Sequence, residues 1–119
     1  MNPTSPHRRS WLAANGALCA AAAVALAAFA AHGASGEAQS RLWLAAVFAF
    51  GHGLAIAVLA PTAHGLGRVA LALLYMGMLL FSGSLVFNVL AQWPTTLAPF
   101  GGTLLIAGWL VYAAEALRR

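Results

Sequence analysis

A handful of side chains in this sequence could take part in chemistry, and all of them stand among apolar neighbours. His52 lies in "FAFGHGLAIAV", Ser82 and Ser84 flank Gly83 in "LLFSGSLVF", Trp109 lies in "LIAGWLVY", and Asn88 follows in "VFNVLAQW". A neutral imidazole needs one partner for its N–H and another for its lone-pair nitrogen, and serine hydroxyls can serve as either. The indole N–H of Trp109 is a further donor. An ionisable residue deep in an apolar segment is read first as a candidate for proton or ion handling, so His52 carries the strongest functional signal. The competing reading is a histidine whose bonds hold helices together. Ser82 and Ser84 fill space and bond the carbonyl of their own turn in the plainer reading. Asn88 reads as a cap or turn binder, and His32, followed by Gly33, reads as a cationic helix C-terminus with the glycine in the left-handed position.

Those assignments depend on the elements that carry the residues. The chain has 119 residues, of which 62% are hydrophobic and 7% charged. Its mean hydropathy is +0.84. Such a sequence cannot clothe a soluble core in polar surface and belongs in a bilayer. Four apolar runs, at about residues 11–31, 42–60, 69–91 and 100–117, approach the roughly 20 residues that a helix needs to span hydrocarbon. Unpaired backbone groups facing lipid are costly, so each run is predicted to be helical. The separators "HGASGEAQSR", "PTAHGLGR" and "QWPTTLAP" contain Gly, Pro or both, and predict short turns between antiparallel neighbours. The sequence therefore predicts one all-α domain over 1–119, an integral-membrane four-helix bundle of up-down topology.

Charge orients it. Arg8, Arg9, Arg68, Arg118 and Arg119 fall on one side of the bundle and only Arg41, with Glu37 nearby, on the other. Cytoplasmic flanks collect arginine, so both termini are expected in the cytoplasm. The first run, with its basic start and small residues at Ala28 and Ala30, also has the pattern of a cleavable signal peptide. Its apolar stretch is long for one, and a retained first span is the expectation. The net charge of +4 is thinly spread over helix ends and does not make a nucleic-acid surface.

With a rise of 1.5 Å per residue, His52 falls roughly 15 Å into its helix, and Ser82, Ser84 and Trp109 fall at roughly the same depth. A polar layer is predicted in which Ser82 or Ser84 bonds His52 and Trp109 closes the set. Gly83 is predicted to be a close helix contact, where a large side chain would force the helices apart. His7, His32, His52 and His64 fall at different levels, and Cys19 is the lone cysteine, so no haem, metal or other cofactor is expected. Glu115 does not by itself make a proton relay, and it is expected to pair with Arg118 or Arg119.

The segments "NGAL" (Asn15–Leu18), "FAAHG" (Phe29–Gly33), "GHGLAI" (Gly51–Ile56), "FSGSL" (Phe81–Leu85) and "APFGGTLLIAGW" (Ala98–Trp109), taken in order, resemble the YgdD-like family. These are small bacterial inner-membrane proteins of unknown function, with small four-helix relatives in eukaryotes. The resemblance implies a four-helix fold and a multi-pass place in the bacterial inner membrane, but no activity, substrate or cofactor. This chain departs from the family pattern at Phe50 and Gly51, where a "YQ" pair is usual, and at Val86, where a tyrosine is usual.

No nucleophile–base pair and no cofactor motif is present, so a non-enzymatic role is expected, in contact with the lipid bilayer and with other membrane proteins or copies of itself. The alternative is a small oligomeric transporter or channel with a polar layer at His52, Ser82 and Ser84.

Overall fold

The computed structural model describes residues 9–118. His7, Arg8 and Arg119, which entered the reading of charge and histidine levels, lie outside the described residues. Four helices follow one another: α1 (Trp11–Gly33), α2 (Gly36–Leu59), α3 (Leu66–Ala91) and α4 (Leu97–Arg118), with a short 3-10 turn at Ala60–Thr62. All four are long and apolar enough to cross a membrane. The helix ends differ from the apolar runs in a consistent way. α2 starts at Gly36 and α3 at Leu66, because the polar residues that precede each run continue the same ladder as its first turn. Only Ala34 and Ser35 separate α1 from α2. Proline needs no N–H partner in a first turn, which lets α4 begin at Leu97 with Pro99 inside it.

The end of α1 corrects one expectation. Gly33 is the last helical residue and lies over the Phe29 ring, whose Cε2 would stand 2.9 Å from an added Cβ. The residue with positive φ is Gly36, at 63°, where the chain turns directly into α2. His32 remains in the last turn of α1 and is exposed.

Two tightly packed hairpins build the bundle. In the first, α1 buries Gly16, Ala23 and Ala30, a seven-residue spacing that gives one narrow seam. The facing seam on α2 includes Ala46 and Gly53. A Cβ on Gly16 would lie 2.7 Å from the Gly53 carbonyl oxygen, and one on Gly53 would lie 2.7 Å from that of Gly16. Further along, Gln39 Nε2 donates to the Ala30 carbonyl at 2.9 Å, holding the register at the other end. In the second hairpin, a Cβ on Gly77 of α3 would lie 2.8 Å from the Gly101 carbonyl oxygen of α4. One turn-pair away, a Cβ on Gly108 would lie 3.1 Å from the Ala70 carbonyl oxygen. Without a hydrophobic force between helices in lipid, such backbone-to-backbone packing is a main source of association.

The hairpins meet through α2 and α3, which makes α3 the most buried helix and α1 the least. Ile56, Leu71, Leu74, Met78 and Leu105 form the core, drawn from α2, α3 and α4. The resulting body measures 51 × 27 × 18 Å. Its long axis exceeds the roughly 30 Å of a hydrocarbon core, so the helix ends reach the headgroup layers.

Candidate functional site

His52 faces α4. Its Nδ1 stands 2.8 Å from the Phe48 carbonyl oxygen, one turn back on α2. A carbonyl only accepts, so Nδ1 carries the proton, and Nε2 is left as an acceptor. Trp109 Nε1–H donates to that Nε2 at 3.1 Å. Both ring nitrogens are thus engaged by the neutral Nδ1–H tautomer, and a second proton on Nε2 would set two donors against each other. Aromatic rings extend the contact on both sides. Phe48 stacks on His52 with centroids 5.7 Å apart, and Phe81 packs on Phe48 at 4.6 Å. On α4, Tyr112 meets Trp109 edge-on at 6.1 Å.

The expected bond from His52 to a serine is not formed. Ser82 is buried and faces α2, where its hydroxyl donates to the Ala45 carbonyl at 2.9 Å. That crossing bond replaces both the bond to His52 and the bond to its own turn. The reason is depth: Ala45 lies seven residues before His52 on the same face of α2, two turns and roughly 10 Å away along the axis, because α2 starts at Gly36 and carries His52 deeper than its apolar run implied. Ser84 Oγ is shielded from solvent and has no hydrogen-bond partner among the described residues. Of the expected layer, the structure brings together His52 and Trp109, while Ser82 and Ser84 stand apart from them.

Gly83 is a second correction. A Cβ there would meet nothing within 4 Å. The glycine instead borders a gap of about 190 Å³ between α1 and α3, together with Cys19, Leu26 and Val86. The close contacts fall at Gly16, Gly53, Gly77, Gly101 and Gly108, so the expectation of a close helix contact at Gly83 is overturned.

At the far ends, polar groups tie helices to loops. Asn88 Nδ2 donates to the Trp93 carbonyl at 2.9 Å, and its Oδ1 accepts from Arg41 of α2. Gln92 takes the left-handed C-cap position of α3 with φ 57°, and Trp93 folds back to stack on Phe87 at 5.1 Å. Asn88 therefore binds the turn and also fastens the start of α2 to it. Arg41 also pairs with Glu37 at 3.7 Å. At the opposite end Glu115, only 6% exposed, has Arg118 Nε 3.4 Å from Oε2, an ion pair not aligned as a hydrogen bond. Sequence reasoning missed the Ala45, Phe48 and Ala30 carbonyls, since backbone acceptors carry no residue signal. It also missed the contact from Tyr75 Oη to Asn15 Oδ1 at 3.3 Å, between residues 60 apart. Among the described residues, no three of His, Cys, Asp and Glu gather in a metal-binding group.

Residues 26–102 fit the family described as "Protein of unknown function (DUF423)", from the later half of α1 into the first turns of α4. No curated protein and no solved structure matches the chain.

Proposed function

Since the chain belongs to the DUF423 family of proteins of unknown function, we propose that it is a non-enzymatic, multi-pass protein of the bacterial inner membrane that associates, helix against helix, with other membrane proteins or with copies of itself. The observation that carries this reading is a lipid-facing groove between α1 and α2, of about 430 Å³. Buried Ala23 and Ala46 lie at its base, Ala27 and Gly51 line it as well, and the larger Val24, Trp43, Val47 and Phe50 complete the lining. Small residues let a further helix bring its backbone close, which is how helices associate in lipid. The bonds of His52, Ser82 and Asn88 within the bundle support a holding role for those groups over a chemical one. Arg9, Arg68 and Arg118 at one end, with Arg41 at the other, support a cytoplasmic placement of both termini.

The test is photocrosslinking in native membranes, with the crosslinker placed at Val47 in the groove or at Ile106, exposed on α4. A discrete protein adduct is expected from Val47 and lipid adducts alone from Ile106. Lipid adducts alone from both positions would sink the proposal.

A further inference from the structure

Arg9 and Arg68 line one cavity of about 290 Å³ at the end of the bundle where α1 begins. The two come from separate elements, one just before α1 and the other in the first turn of α3, where the Arg68 N–H bonds the Gly65 carbonyl at 3.1 Å. Among the described residues, no acidic one lines the cavity. The chain holds only two acidic side chains. Glu37 pairs with Arg41 and Glu115 with Arg118. Both side-chain carboxylates of the chain are thus engaged elsewhere, and among the described residues neither Arg9 nor Arg68 is paired with one.

The rest of the lining favours an oxyanion. Ser10 caps α1 by accepting the Ala13 N–H at 3.1 Å through Oγ, and its carbonyl takes the Ala14 N–H at 3.0 Å. The N–H groups of Trp11 and Leu12, which also line the cavity, have no acceptor within the helix. They stand at the positive end of a 23-residue helix. The end of α2 lies alongside, but its closing turn is bonded internally, Ala63 N–H to the Ala60 carbonyl at 3.2 Å. Two guanidinia arriving from different elements suit an anion with several oxygens pointing apart, which is a phosphate and not a single carboxylate. Trp11, 76% exposed at the same rim, is a residue type that settles at the headgroup level.

We propose that the cavity between Arg9 and Arg68 binds a phosphate group, held by both guanidinia and the first N–H groups of α1. A phospholipid headgroup and free phosphate share that chemistry.

The full chain in a maltoside detergent, which carries no phosphate, is titrated with phosphatidylglycerol or with diacylglycerol and followed by native mass spectrometry. One saturable phosphatidylglycerol is expected, and diacylglycerol should not bind. Arg9→Gln and Arg68→Gln should each weaken binding about tenfold, the loss of one charge-assisted contact. Arg118→Gln should leave it unchanged. Circular dichroism confirms that each variant is folded, and both arginines are exposed and outside the packed seams. Inorganic phosphate then separates the sources: competition assigns the site to the free ion, and its failure assigns it to the lipid headgroup. The proposal is overturned if diacylglycerol binds as well, if both Gln variants match the parent, or if Arg118→Gln weakens binding as much as they do.

Discussion

His52 has the residue type of a proton carrier and the surroundings of a clasp. Its two bonds, to Phe48 of its own helix and Trp109 of α4, fix which nitrogen is protonated, and this can be read directly. Nitrogen NMR of labelled protein above neutral pH should report Nδ1 protonated and Nε2 as an acceptor; the opposite tautomer would remove the Trp109 bond from the account. Bonds of this kind inside membranes average about 0.6 kcal/mol and seldom exceed about 1.7 kcal/mol. His52→Leu and Ser82→Ala should therefore each insert, fold and lose stability within that range in a detergent unfolding titration. Ser82→Asp should fail to assemble, because a charge at the bilayer centre costs about 2.5 kcal/mol or more and the Ala45 carbonyl cannot accept a bond from a carboxylate. Composition and hydropathy placed these residues inside apolar spans but not at their relative depths, and Trp109 was legible as a partner of His52. Which carbonyl each hydroxyl meets was not, since that depends on where each helix begins, and α2 starts at Gly36, ahead of its apolar run.

At the scale of elements, the four helices were readable from hydropathy because lipid allows few alternatives to a helix. Their first turns were not, as the polar residues of α2 from Gly36 to Arg41 resemble a loop until the helix is seen to include them. The glycines show the same division. "FSGSL" and "NGAL" both offer a small residue in a transmembrane run, yet Gly16 touches the backbone of α2 and Gly83 borders open space. Gly77→Ala places a methyl 2.8 Å from the Gly101 carbonyl oxygen, so α3 and α4 must separate. A loss of about 1–3 kcal/mol is expected, the usual cost of overpacking. Gly83→Ala should stay within about 0.5 kcal/mol of the parent, as substitutions away from tight contacts do. Equal losses for the two variants would mean that the hairpin seams do not lie where the structure puts them.

At the scale of the molecule, the arginines and the helix order fix an expected orientation. In a Cys19→Ala background, Ser35→Cys should react with an impermeant thiol reagent on intact cells, and Ser5→Cys should react only after permeabilisation. Ser5→Cys labelled from outside would invert the bundle. The family to which the chain belongs was legible in its motifs, but no motif carries a role, because the proposed docking of another helix depends on shape and small side chains. The groove between α1 and α2 is the feature on which the functional reading stands, and Gly51 sits in it with nothing within 4 Å of an added Cβ. Gly51→Leu thus fills the groove and leaves the two hairpins as they are. The most direct measurement is the native mass of particles extracted from membranes for the parent and for Gly51→Leu. The parent is expected in a complex of defined mass and the variant as a single 12.3 kDa chain with lipid; a parent found alone, or a variant that keeps the complex intact, would contradict the proposed association.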